Sequence, residues 1–352
     1  MSKRIVIVGA GAVGGYFGAY LTKAGHDVTL VDPWPENVEA IRTTGMKLSG
    51  VTPEESMTVK VNAIHLTDVQ NFIKQKPIDI AVIAMKSYDT VWATMLIKPY
   101  LAADAYVVSL QNCINEERVA SVVGWGRTIG CIASDFSSEL IGPGEIRRYY
   151  PRGDKNNFVY RAGELHGRVT KRLEEFVEIA SAADTATATS NLWGERWSKL
   201  CVNGMRNGLS AASGLSGADM ARTDHIRRFM IRLGGQAVRV GQANGYSFDK
   251  VYRMKADTMA RAAEGDKAAM EECEDVLLQR VNSGMQSEGQ RPSMGQDMIK
   301  GRRTEIDFIN GPIVEQGEPL GLPIDTHKNM IRLVTAVERG ELKPSPDHFE
   351  GL

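Results

Sequence analysis

The chain has 352 residues, enough for two domains with sizeable cores, and an ordinary globular composition, 43% hydrophobic and 24% charged. A formal net charge of −1 excludes a broad electrostatic attraction to nucleic acid or to an anionic membrane, and the pairs Arg147-Arg148 and Arg302-Arg303 are too short to alter that. No apolar run approaches the ~20 residues of a membrane span.

The first predicted strand begins almost at once, with no apolar signal region before it, so a cytoplasmic protein is expected. The four cysteines, Cys113, Cys131, Cys201 and Cys273, show no C-x-x-C spacing and read as reduced thiols. The six histidines are scattered, so no metal is expected.

Ile5 to Val8 is a short β-branched apolar run, as a buried parallel strand requires. GAGAVG follows, with Gly9, Gly11 and Gly14 in G-x-G-x-x-G register. Val13, Tyr16, Phe17, Tyr20 and Leu21 then recur at helical spacing up to the stop at Gly25. A second apolar run, Val28 to Val31, ends on Asp32. Strand, glycines, helix, strand and terminal acid in that order predict a dinucleotide site formed by Gly9, Ala10, Gly11, Ala12, Val13, Gly14 and Asp32. Gly9 permits the tight turn, Gly11 lets a pyrophosphate approach the backbone, and Gly14 lets helix and strand pack closely. The helix N-terminus faces the phosphates with free N–H groups. Asp32 is placed to accept from a ribose 2′-hydroxyl and would repel a 2′-phosphate, which favours NAD(H). The bland alternative is a glycine-rich turn with no ligand.

Pro33-Trp34-Pro35 breaks the strand, and Glu36 to Arg42 reads as a short helix ending before Gly45. Met57 to Val61 alternates like an edge strand. Ile78 to Ala84, Tyr106 to Leu110, Thr128 to Ala133 and Phe158 to Tyr160 follow as strands, with a turn at Gly142-Pro143-Gly144. Strands alternating with helices predict a doubly wound parallel sheet. The pattern changes across Thr185 to Asn191, after which periodicity is helical. The expected domains are 1–188, of Rossmann type, and 189–352, all-α, with the substrate in a cleft between them. Glu264 to Arg291 reads as a solvent-exposed helix and loop.

Lys86 and Asn112 each follow the carboxyl end of a predicted strand, the edge at which open α/β sheets bind ligands. Each is equally readable as a solvated loop residue. Lys199, Asn203 and Asn207 are spaced four apart and fall on one stripe of a helix. One lysine and two amides on an otherwise apolar helix suggest a pocket wall, against the alternative of a solvated face. Ser293, Glu305, Asp307 and Asn310 are polar positions around two later helices, and Ser293 after Pro292 reads as an N-cap.

GAGAVGG, AMKS, LQN, WSKLCVN…N and GRRTEIDFING together resemble the ketopantoate reductase family (2-dehydropantoate 2-reductases), over nearly the whole chain. The resemblance implies a Rossmann domain joined to a helical domain of the 6-phosphogluconate dehydrogenase type. It implies NAD(P)H-dependent reduction of a 2-oxo acid, with Lys199 as the catalytic general acid. Asn203, Asn207, Ser293 and Glu305 match substrate positions, and Lys86 and Asn112 match positions near the cofactor and the reacting carbonyl. NADP(H) remains open from the family, although Asp32 stands where NADPH-using members usually carry a basic residue nearby. Cys113 occupies a common glycine position.

The expected partner is a small 2-oxo or 2-hydroxy acid, without nucleic acid or membrane; a homodimer is left open. The alternatives are an NAD-dependent 2-hydroxy acid dehydrogenase of the same family, or a nucleotide-binding regulator without turnover.

Overall fold

The computed structural model describes residues 3–154, 157–248, 250–283 and 289–351. The chain divides into two compact units, Met1–Leu192 and Trp193–Leu352.

The first unit is built on strands β1 (Arg4–Val8), β2 (Asp27–Asp32), β3 (Met46–Ser49), β4 (Met57–Val59), β5 (Asn62–His65), β6 (Ile78–Ile83), β7 (Leu101–Ser109), β8 (Thr128–Ala133), β9 (Ser138–Gly142), β10 (Glu145–Arg148), β11 (Tyr160–Glu164) and β12 (Ala186–Ala188). Its helices are α1 (Ala12–Lys23), α2 (Pro35–Thr44), α3 (Thr90–Ile97), α4 (Glu116–Val123) and α5 (Lys171–Ser181). Eight strands form one sheet in the order β12-β11-β8-β7-β6-β1-β2-β5. The order reverses beside β1, and the crevice at such a switch point is where open α/β sheets take ligands. Strands β1, β2, β5, β6, β7 and β8 pair in parallel, as the sequence pattern predicts. The exceptions are β11, which runs antiparallel to β8, and β12, which pairs in parallel with β11.

Both sheet faces are covered, and β1 shows why its run is apolar throughout. Ile5 and Ile7 enter the core under α1 and α5, while Val6 and Val8 enter the opposite core. Burying each such side chain stabilises the fold by about 1.5–3 kcal/mol.

The patterning of the sequence does not predict the second sheet, β4-β3-β10-β9, which packs over α1. The predicted edge strand at Met57 is found here as β4. Helix α1 lies between the two sheets through its glycines. A Cβ on Gly15 would lie 2.7 Å from Ile146 of the small sheet, and one on Gly18 would lie 2.6 Å from Leu30 of the large one. Arg148 is buried at the end of β10. It donates to the Tyr16 hydroxyl at 2.8 Å and pairs with buried Asp184, which joins the small sheet to α1 and to the segment before β12.

The second unit contains α6 (Leu192–Ser213), α7 (Gly217–Arg222), α8 (Asp224–Ala243), a hairpin of β13 (Lys250–Val251) and β14 (Met254–Lys255), then α9 (Ala256–Ala263), α10 (Lys267–Asn282), α11 (Ser293–Ile299), α12 (Ile306–Ile309), α13 (Gly311–Gly317) and α14 (Asp325–Glu338). The expectation of a solvent-exposed Glu264–Arg291 segment is corrected in part. Ala269, Cys273, Leu277 and Val281 bury one face of α10, a stripe that the surrounding charges obscure in the sequence. Residues 284–288 of that segment lie outside the described residues. Among the described residues no helix is long and apolar enough to cross a membrane.

Candidate active site

The glycine loop leaves β1 at Gly9, where φ is +106° and an added Cβ would lie 2.7 Å from the Ala84 carbonyl. A Cβ on Gly14 would collide with the Gly9 carbonyl. Gly11 differs from both. It caps α1 with an ordinary φ of −70°, and a Cβ there meets nothing within 4 Å. The missing side chain therefore leaves an open cradle rather than relieving a clash. Gly11, Ala12 and Val13 are half-buried, whereas the helix beyond them is buried, and α1 has no side-chain cap. An open cradle at an uncapped helix N-terminus fits a pyrophosphate.

Asp32, at the end of β2, is buried. One carboxylate oxygen accepts from the Ala10 N–H at 2.6 Å and the other from the Trp34 N–H at 3.0 Å. Asp32 therefore fastens the glycine loop, a task beyond the ribose contact expected from the sequence. Asn37 completes the fastening: its amide donates to the Ala10 carbonyl at 3.2 Å and accepts from the Gly144 N–H at 2.8 Å. The sequence reading missed Asn37, because an asparagine in an amphipathic helix reads as a surface residue.

Lys86 and Asn112 follow the carboxyl ends of β6 and β7, and both are half-buried. Asn115, also missed, ties their two loops together by donating to the Ser87 hydroxyl at 3.0 Å and to the Asn112 carbonyl at 2.8 Å. Gln111 donates to the Met85 carbonyl at 2.9 Å and to the Thr90 hydroxyl at 2.8 Å. Between them, Cys113 has φ +66°, a left-handed conformation that glycine adopts at no steric cost.

In the second unit, α6 carries Lys199, Asn203 and Asn207. Both asparagines are buried, 6% exposed each, and Lys199 is half-buried. That removes the solvated-face alternative for the two amides.

The rest of α6 is covered on two sides, one carrying Trp197, Gly204 and Gly208 and the other Ser198. Trp197 donates to the Ala237 carbonyl of α8 at 2.9 Å. Gly204 and Gly208 admit Ile313 and Met330, respectively. Ser198 donates to the Lys250 carbonyl of the β13–β14 hairpin at 2.9 Å. The stripe thus runs between the hairpin and the C-terminal helices.

The segments that carry Ser293 and Glu305 pack against the same helix from later in the chain. Gly295 packs on Ser210, and Ile306 packs on Gly208. Ser293 is the first residue of α11 and Pro292 holds the cap position, so the N-cap expectation for Ser293 is corrected. Proline suits a helix start because it has no N–H to satisfy. Glu305 is buried and directly precedes α12. Asp307 is exposed. Asn310 is fully buried and structural, donating to the Gly204 carbonyl at 3.1 Å and to His327 Nδ1 at 3.0 Å.

Residues 5–154 match the family model described as ketopantoate reductase PanE/ApbA, and residues 191–338 match its C-terminal counterpart. A 2-dehydropantoate 2-reductase of Archaeoglobus fulgidus is 28% identical over 345 residues, 96% of this chain and 99% of the relative. A crystal structure of a PanE/ApbA family ketopantoate reductase from Ralstonia eutropha JMP134 superposes with a TM-score of 0.76. It is 28% identical, with 96% of this chain and 99% of that one covered. The ternary structure of D-mandelate dehydrogenase with NADH and anilino(oxo)acetate shares the fold, with a TM-score of 0.77, 23% identity, and 96% and 98% of the two chains covered.

Proposed function

We infer the reaction from the fact that the chain belongs to the ketopantoate reductase family and is an NAD(P)-dependent oxidoreductase acting on a CH–OH group. It reduces a 2-oxo acid to the 2-hydroxy acid, with NADH preferred. The observation that carries this reading is one stripe of α6 with Asn203 and Asn207 buried and Lys199 half-buried, on a helix against which the segments carrying Ser293 and Glu305 also pack.

A bound nicotinamide supplies the hydride. The chain's own residues handle the charge that develops on the ketone oxygen. The Lys199 ammonium stabilises that oxygen and then donates its proton, acting as general acid. Asn203 and Asn207, one turn apart, hold polar groups of the substrate that would cost about 1–3 kcal/mol each if buried unpaired. Ser293 donates to the substrate carboxylate without adding a charge. Glu305 cannot lie against that carboxylate when ionised, so it accepts from a substrate hydroxyl.

In the first unit, the loop Gly9 to Gly14 seats the pyrophosphate. Lys86 and Asn112 stand near the nicotinamide ribose and carboxamide. Asp32 holds negative charge where a 2′-phosphate would sit, which is the basis for preferring NADH.

The test is a panel of 2-oxo acids with each reduced cofactor, run in both directions. Reduction of at least one 2-oxo acid is expected, and Lys199→Ala should lower kcat by about two to four orders of magnitude. Near-normal turnover in that variant would remove Lys199 from the mechanism. A protein that binds NADH yet turns over no oxo or hydroxy acid would be a nucleotide-binding regulator.

A further inference from the structure

Beside the α6 stripe lies a cationic cluster that the reading above does not use. Arg206 follows Lys199 by seven residues, which at 3.6 residues per turn places it roughly 20° around the helix and about 10 Å further along. Its guanidinium lies 4.6 Å from the centre of the Tyr252 ring, and that of Arg280, from α10, lies 4.2 Å from the same ring. Arg280 is only 6% exposed.

Among the described residues, no carboxylate pairs with Arg206 or Arg280, and the Arg280 Nε and the Tyr252 hydroxyl are buried without a hydrogen-bond partner. A guanidinium cannot shed its proton to escape such a site. Burying its charge unpaired is strongly unfavourable, and stacking on one aromatic ring offsets only part of that.

The hairpin that presents Tyr252 is itself strained. Tyr252 and Arg253 have φ of +53° and +70°, in a two-residue turn position usually filled by Asn-Gly. Two arginines on one ring, with the Arg280 Nε and the phenol hydroxyl unsatisfied, next to the α6 stripe, call for an oxyanion.

We propose that Arg206, Tyr252 and Arg280 form an oxyanion subsite that holds a second carboxylate, at the far end of the substrate, so that the enzyme selects dianionic 2-oxo acids. This rests on the reading that the α6 stripe binds the oxo acid. The guanidiniums bind the planar carboxylate, and the Tyr252 hydroxyl donates to it. The paired β13–β14 strands and their two-residue turn fix the phenol in place before the ligand arrives.

The full-length protein tests this in two ways. Titration calorimetry compares glutarate with butyrate, neither of which can react. Glutarate should bind at least about tenfold more tightly. Steady-state kinetics compares 2-oxo acids that end in a second carboxylate with plain ones, and kcat/KM should favour the dianionic acids by a similar factor.

Arg280→Gln and Arg206→Gln should each reduce both ratios by about tenfold. Tyr252→Phe, which keeps the ring, should reduce them less. Arg206 is half-buried, so its variant remains informative should Arg280→Gln not fold.

Equal binding of glutarate and butyrate overturns the proposal, even if plain oxo acids are reduced well. In the NADH-saturated protein, inorganic phosphate whose binding is lost in Arg280→Gln, yet which does not displace glutarate, assigns the cluster to a separate anion and overturns the substrate assignment. Selective glutarate binding that the variants abolish, with no oxo acid reduced, supports the anion subsite while the reductase reading fails.

Discussion

Gly11→Ala separates cofactor recognition from folding. A Cβ at residue 11 meets nothing within 4 Å, and φ there is −70°. The apo protein should therefore lose no more than about 1 kcal/mol, the loss on replacing glycine by alanine at a helix cap. The same methyl group fills the cradle at the α1 N-terminus. A pyrophosphate pushed outward there loses at least one charge-assisted hydrogen bond, worth about 1.5–3 kcal/mol, which is roughly 10–100-fold in Kd. Gly14→Ala is the contrasting control, because its Cβ runs into the Gly9 carbonyl and should destabilise the apo protein by about 1–3 kcal/mol or more. Thermal unfolding without cofactor and fluorescence titration with NADH read the two effects separately. A Gly11→Ala protein with wild-type melting and an NADH Kd within about twofold of wild type would show that no pyrophosphate rests on this loop.

Cofactor choice should follow Asp32, with kcat/KM for NADH at least about tenfold above that for NADPH, or ~1.4 kcal/mol; a clear NADPH preference in steady-state kinetics would refute that role. Glu305→Gln should mainly impair hydroxylated oxo acids and spare plain ones, because a site built to bond a hydroxyl rejects analogues lacking it. An equal loss on all substrates with a shifted pH profile would instead pair Glu305 with Lys199. Burial pushes His327 down to about 4, below the ~6.5 of an unfolded chain. Between those values the unfolded state binds more protons. The contribution of His327 is thus complete above about pH 6.5 and is lost as pH falls toward 4, by on the order of 3 kcal/mol. Denaturant titrations at pH 7 and 4.5 should show a smaller difference in His327→Phe than in wild type, and an equal difference would assign the acid sensitivity to other groups.

Local signals in the sequence carry the large parallel sheet and the α6 stripe. Short apolar runs mark the strands, and the four-residue spacing of Lys199, Asn203 and Asn207 marks one helix face. Pairings between distant segments are not legible in this way. Strand β10 meets β3 through Glu145 and Lys47, and neither short strand has an apolar run of its own. Arg147-Arg148 reads as a surface pair, yet Arg148 is only 1% exposed because Asp184 lies across from it. Thr185 to Asn191 reads as a linker, and β12 within it is recognisable only from its pairing with β11. In the second unit the approach of Ser293 and Glu305 to α6 depends on helix packing that no local pattern encodes. The resemblance to a family, rather than periodicity, singled those two residues out.

The double hydrogen bond of Asn37, to the Ala10 carbonyl and from the Gly144 N–H, has a bearing on protein engineering. A basic segment grafted after the second strand would favour a 2′-phosphate beside Asp32. Here that segment also anchors the β9–β10 turn to the glycine loop. A wholesale graft over residues 33–37 would unfasten the small sheet while it changed the charge beside Asp32. The substitutions that leave Asn37 in place confine the change to charge.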